Sequence, residues 1–219
     1  EKIIPELSDL PIEYLYQSLG QGLWIGTPSS IYQHRNGRLR EFPRNIISGD
    51  NISGLTDDSP VAKSSLFDSS YVRSVYQDRK GTVWVSVVDG LFRFKEETFS
   101  LLTTSDGLGS NEINSVFEDS KGILWVATSN GMSKYDGTSF RNYTTEDGLP
   151  SNWVNAITES SNGNIWAATT QGISSFDGSK FRNIKKRDGL SGSQATELFF
   201  SADSTLWVKT EKGVSFLKD

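Results

Sequence analysis

Trp153, Tyr71, Glu112, Gln194 and Pro11 hold equivalent places in a repeated sequence, yet all five are different residue types. An aromatic ring, an amide and a carboxylate brought together suit one task. The ring stacks on the apolar face of a sugar, and the polar groups hydrogen-bond its hydroxyls. A second tier follows two residues on, with Arg73, Asn114, Asn155, Thr196 and Glu13. Tyr71, Arg73, Glu112, Asn114, Trp153, Asn155, Gln194 and Glu13 are therefore the candidate ligand-binding residues.

Catalytic chemistry is thinly provided. His34 is the only histidine, and no Ser/Asp partner stands at a useful spacing from it. Glu13 and Glu112 would form a glycosidase pair only if they converged across a cleft. A lyase is the other enzymatic possibility, and a catalytic histidine would be expected at its site. With no cysteine, thiol catalysis and thiolate zinc sites are excluded. No Asp-x-Asp-x-Asp-Gly calcium loop occurs either. The expectation is a non-enzymatic protein with neither metal nor cofactor.

What must position these residues is the repeat. Trp84, Trp125, Trp166 and Trp207 recur every 41 residues, and Trp24 begins the series 60 residues before Trp84. Trp153 alone stands off this series. Within one unit, Ile113 to Glu118 alternates like a strand. Asp119-Ser120-Lys121-Gly122 is a turn, and Ile123 to Thr128 is a β-branched and aromatic run typical of a buried strand. Ser129-Asn130-Gly131 is a hairpin turn. Met132 to Tyr135 and Phe140 to Thr144 complete four strands, and Asp147-Gly148-Leu149 leads to the next unit. Asp106, Asp147 and Asp188 recur at identical spacing, which points to a backbone-capping role in each turn.

Four antiparallel strands in about 40 residues, repeated, predict an all-β protein, a β-propeller of about five blades. The blades fall at about 12–42, 71–105, 112–146, 153–187 and 195–219, within one domain spanning 1–219. Residues 43–70 form a Ser-, Asp- and Gly-rich insertion. The fifth blade lacks a fourth strand, which residues 2–5 are expected to supply, closing the ring. The series tryptophans then pack between blades, and the variable positions ring the mouth of the central channel.

Composition narrows the partners. A net charge of −5 with no basic run argues against nucleic acid. No apolar run is long enough to insert in a membrane. Opening at Glu1 without an apolar leader, the chain reads as a mature product or an excised domain.

The pattern running from Asn114 to Ser133, and again from Asn155 to Ser174, resembles the two-component regulator propeller repeat, as do the Asp-Gly-Leu steps at 106–108 and 147–149. Looser copies surround Trp84, Trp24 and Trp207. This resemblance implies a periplasmic or extracellular sensor module, joined to other domains of a two-component or diguanylate-cyclase signalling protein. A small saccharide is the implied ligand class. The alternative is a protein-interaction scaffold that uses the 43–70 insertion.

Overall fold

The computed structural model describes residues 11–12, 14–18, 22–27, 30–43, 73–95 and 98–218. Among them lie five antiparallel sheets and two single turns of 3-10 helix. The sequence predicts this all-β, blade-by-blade architecture. The expected closing strand at 2–5 and nearly all of the 43–70 insertion lie outside the described residues. Two compact units, 1–101 and 102–219, divide the chain.

In the N-terminal unit, β1 (Tyr14–Ser18), β2 (Gly22–Gly26), β3 (Ser30–Arg35) and β4 (Arg38–Pro43) form one sheet in chain order. A second contains β5 (Ser74–Gln77), β6 (Val83–Val87), β7 (Gly90–Lys95) and β8 (Thr98–Leu102). The core between them is Trp24 against Val75, Val83, Val85, Val87, Phe92 and Phe94. Trp24 meets Phe94 edge to face at 5.1 Å, the arrangement that the ring quadrupoles favour.

In the C-terminal unit, one sheet holds β9 (Ile113–Glu118), β10 (Leu124–Thr128), β11 (Gly131–Tyr135) and β12 (Phe140–Tyr143). The next holds β13 (Val154–Glu159), β14 (Ile165–Thr169), β15 (Gly172–Phe176) and β16 (Phe181–Ile184). The last holds β17 (Ala195–Phe200), β18 (Leu206–Thr210) and β19 (Gly213–Leu217). First strands are neighbours, β9 beside β13 and β13 beside β17.

Turn chemistry sets these strands. Gly131 belongs to β11 rather than to the turn, because it pairs with Thr128 and leaves only Ser129 and Asn130 between the strands. Its φ is +101°, and a Cβ there would stand 2.2 Å from the Tyr143 carbonyl oxygen. No other residue fits so close an approach. The recurrent aspartates cap the blade-to-blade steps as expected. Asp106, Asp147 and Asp188 accept the backbone N–H of Thr103, Thr144 and Lys185 at 2.8–2.9 Å.

Between sheets, Trp125 packs on Tyr143 and on Phe176 of the following sheet, with ring centroids 5.9 and 6.2 Å away. Ala168 and Ile173 in turn lie against Leu198, Leu206 and Val208 of the last sheet. Trp207 departs from the expected packing. It is 36% exposed, beside the exposed Phe199 and Phe216 of the last sheet.

Candidate functional site

Glu112, Trp153 and Gln194 stand immediately before β9, β13 and β17, and their backbones make the same bond. Their carbonyl oxygens accept from Ser129, Thr170 and Glu211 respectively, at 3.1–3.2 Å. That bond ties each residue to the turn after the second strand of its own sheet, so the three positions are structurally equivalent. Their side chains differ while their frame does not.

The frame is built outward from the turns. The Asn111 and Asn152 side chains accept from the N–H of Thr104 and Thr145 at 2.8 and 2.7 Å, fixing the lead-in to β9 and β13. Glu112 and Trp153 then donate their own N–H groups to the hydroxyls of Ser110 and Ser151. The last sheet solves the same problem with a carboxylate. Glu211 accepts from the N–H of Ser193 and Gln194 at 3.0 and 2.8 Å. Those two backbone donors hold Glu211 below the usual carboxylate range, so it remains ionised beside Gln194.

Trp153 is 40% exposed, but its ring is not free to turn. The indole N–H donates to Asn155 Oδ1 at 3.0 Å, and Asn155 Nδ2 donates to the Ala195 carbonyl oxygen at 2.7 Å. Asn114 makes the matching bond, from Nδ2 to the Val154 carbonyl oxygen at 2.7 Å. Each asparagine thus clasps its first strand to the first strand of the next sheet. The sequence suggests Asn114 and Asn155 as ligand contacts; in the structure both bridge adjacent first strands, and Asn155 also accepts from the exposed ring.

Of the other sequence candidates, Arg73 is exposed just before β5 in the N-terminal unit, with its N–H on the Ser86 carbonyl oxygen. Thr196 is exposed on β17. Tyr71 and Glu13 lie outside the described residues, and with Glu13 goes any carboxylate pair with Glu112. His34 is half-buried in β3, paired across the sheet with Leu23 and Leu39. Among the described residues no group of three His, Cys, Asp or Glu side chains is placed to hold a metal ion. Nor is any helix there long and apolar enough to cross a membrane.

Sequence reasoning missed the caps on the series tryptophans. Asp119 is buried and accepts from the N–H of Lys121, the N–H of Ile123 and the Trp125 indole, all at 2.9 Å. Asp78 does the same for Lys80, Thr82 and Trp84. The signal was available: an aspartate six residues before each of these tryptophans.

A family model described as "two component regulator propeller" matches residues 65–89, 107–130 and 148–171. These three segments contain Trp84, Trp125 and Trp166. No curated protein matches the chain. Among solved structures, the extracellular domain of a hybrid two component system from B. thetaiotaomicron superposes with a TM-score of 0.69 at 22% identity. The alignment takes in 94% of this chain and 27% of that one. The extracellular domain of a one component system from the same organism gives 0.68 at 17% identity, over 98% of this chain and 31% of that one. Virginiamycin B lyase from Staphylococcus aureus gives 0.59 at 16% identity, over 96% and 71%. The chain therefore spans about a third or less of the two signalling proteins' domains, and likeness at this identity establishes the fold alone.

Proposed function

Because the chain carries three two component regulator propeller repeats, we propose that it is a non-enzymatic recognition module of a bacterial two-component or related signalling system. The reading places it outside the cytoplasm, where the two similar signalling domains are described as extracellular. Its ligand is a small saccharide, received around Trp153 with Glu112 and Gln194 on the sheets to either side. Further domains of a signalling protein are its partners.

The observation that carries this reading is the held indole of Trp153. An exposed aromatic ring whose N–H is already bonded to Asn155 is biased toward one orientation before any ligand arrives. Binding then costs little side-chain entropy, which is the advantage of a pre-organised site. Stacking of a sugar on an aromatic face is sequence-independent and tolerant. The neighbouring carboxylate and amide would supply selectivity through the hydroxyls. The site offers an aromatic ring, an amide and one carboxylate, and no nucleophile–base pair among the described residues, which favours recognition over turnover. The fold shared with a lyase does not alter that, since function resides in the site.

A panel of neutral and acidic oligosaccharides titrated calorimetrically against the 219-residue chain tests the proposal. At least one should bind, and Trp153→Ala should abolish the heat while leaving the melting temperature unchanged. Binding that survives Trp153→Ala, or release of cleaved product during the titration, would overturn it.

A further inference from the structure

The open face of the last sheet differs from its counterparts residue by residue. Where β13–β15 present Ala156, Ala168 and Ile173 in one cross-strand row, β17–β19 present Glu197, Lys209 and Val214. In the sheet before that, the row is Ser115, Ala127 and Met132. Ala127 and Ala168 are fully buried, and their small side chains leave room for a neighbouring sheet. Lys209 and Glu197 are instead exposed and paired with each other. The clasp is missing as well, because Thr196 stands where Asn114 and Asn155 stand, and its hydroxyl turns back to the Lys209 carbonyl oxygen of its own sheet. This face lacks the small buried residues and the asparagine clasp with which the two preceding sheets meet their neighbours.

It is nevertheless strongly apolar. The adjacent row is Phe199, Trp207 and Phe216, with ring centroids 6.5 and 5.7 Å apart. Phe199 and Phe216 are 58% and 63% exposed, and Val214 is as open. In the preceding sheet the two outer positions of that row are Thr158 and Ser175. Three touching aromatic side chains beside an exposed valine form a contiguous patch of the kind that marks an interaction surface.

We propose that the outer face of β17–β19 is an interface between two copies of this chain, related by a twofold axis. Charge complementarity selects that occupant. A twofold interface must be complementary to itself. Here one acid and one base flank the aromatic row side by side, so rotation brings Glu197 of each copy toward Lys209 of the other while the aromatic rows meet. A one-signed partner surface would leave one of these two charges facing its own kind. The patch is small, a few aromatic side chains per copy, which places the pair at the weak, reversible end of protein interfaces.

Sedimentation of the 219-residue chain, from low micromolar to near-millimolar concentration, should show the mass rising toward that of a dimer. Phe216→Glu and Trp207→Glu, both at exposed positions, should shift the association by about tenfold or more with an unchanged circular dichroism spectrum. Glu197→Lys alone and Lys209→Glu alone should each weaken association, and the double reversal should restore it. The rescue separates an interface from a fold defect. A mass that stays monomeric at every concentration overturns the proposal, as does a dimer indifferent to all four variants. Uptake of an oligosaccharide on this face by a chain that remains monomeric would overturn it too, in favour of a second glycan surface.

Discussion

Trp125 and Trp207 occupy the same position of the same repeat, two units apart, and the structure uses them in opposite ways. Trp125 is 3% exposed, with its ring against Tyr143 and Phe176 and its N–H on the buried carboxylate of Asp119. Trp207 is 36% exposed, beside Phe199 and Phe216, with its N–H on the hydroxyl of Ser201 at 3.2 Å. The local sequence fixes the strand and the turn in both cases. What the neighbouring sheet brings decides whether the ring is core or surface.

The largest expected effect breaks the comparison outright. Trp125→Ala empties a packed site and should cost about 3–5 kcal/mol in urea unfolding. Trp207→Ala, measured at concentrations too low for self-association, should cost under about 1 kcal/mol. Equal losses would mean that the last sheet is covered after all.

Next in size are the caps. Asp119→Ala strips an acceptor from three N–H groups at once and should cost about 2–3 kcal/mol. Ser201→Ala removes a hydroxyl that accepts from the Trp207 indole and donates toward Asp203 and the Thr205 carbonyl oxygen, all uncharged donors at a more exposed turn, and should cost less, about 1 kcal/mol. Chemical denaturation of the two variants side by side checks the difference.

The intermediate sheet sharpens the point. Ser160 holds the place of Asp119, but its hydroxyl donates to Asn162, and the buried indole N–H of Trp166 has no partner among the described residues. Ser160→Asp should give that N–H an acceptor and stabilise the chain by about 1 kcal/mol. An unchanged or lowered unfolding midpoint would contradict the capping account.

The smallest effect is in acid. Asp136 is held well below the usual carboxylate range and Asp177 is lowered too, first by the backbone N–H of Ser139 and of Lys180, then by Thr138 and Ser179. A depressed folded value means stability that is present above the unfolded pKa, near about 3.9, and lost as pH falls through the folded value. The Asp136→Ala, Asp177→Ala double variant should therefore lose less stability than the parent between neutral pH and strong acid. An identical acid profile would show that these turns contribute nothing.

The repeat made much of the fold readable in advance. β9 runs from Ile113 to Glu118 as its alternation predicts, and the strand ending at Leu217 is the last one described. A few strand boundaries moved by one residue: β10 starts at Leu124 rather than Ile123, β12 ends at Tyr143 rather than Thr144, and β11 takes in Gly131, whose pairing with Thr128 shortens the expected turn. The equivalence of Glu112, Trp153 and Gln194 was readable for the same reason, since a fixed spacing carries a fixed backbone frame. Other features were not, because they depend on what lies across a sheet boundary. Asn114 and Asn155 recur at the repeat spacing, just as the capping aspartates do, and recurrence is the mark of a scaffold residue. Their carbonyl partners, Val154 and Ala195, belong to the next repeat and become visible only when the sheets are assembled. The exposure of Trp207 was hidden likewise. Its own strand reads like that of Trp125 but for Lys209 in place of an alanine, and the other changes that mark the face as different lie on its neighbours: Glu197 for Ala156, Thr196 for Asn155, and Phe199 and Phe216 for Thr158 and Ser175.

The proposed recognition site rests on Trp153 being the ring that meets the ligand, and the indole N–H resonances of the six tryptophans report on that directly. In a titration of the isotopically labelled chain with a binding oligosaccharide, the Trp153 indole signal should shift first and furthest. Those of the capped Trp84 and Trp125 should stay in place. A titration in which Trp153 is silent while Trp207 moves would contradict the account and transfer the site to the open face of the last sheet.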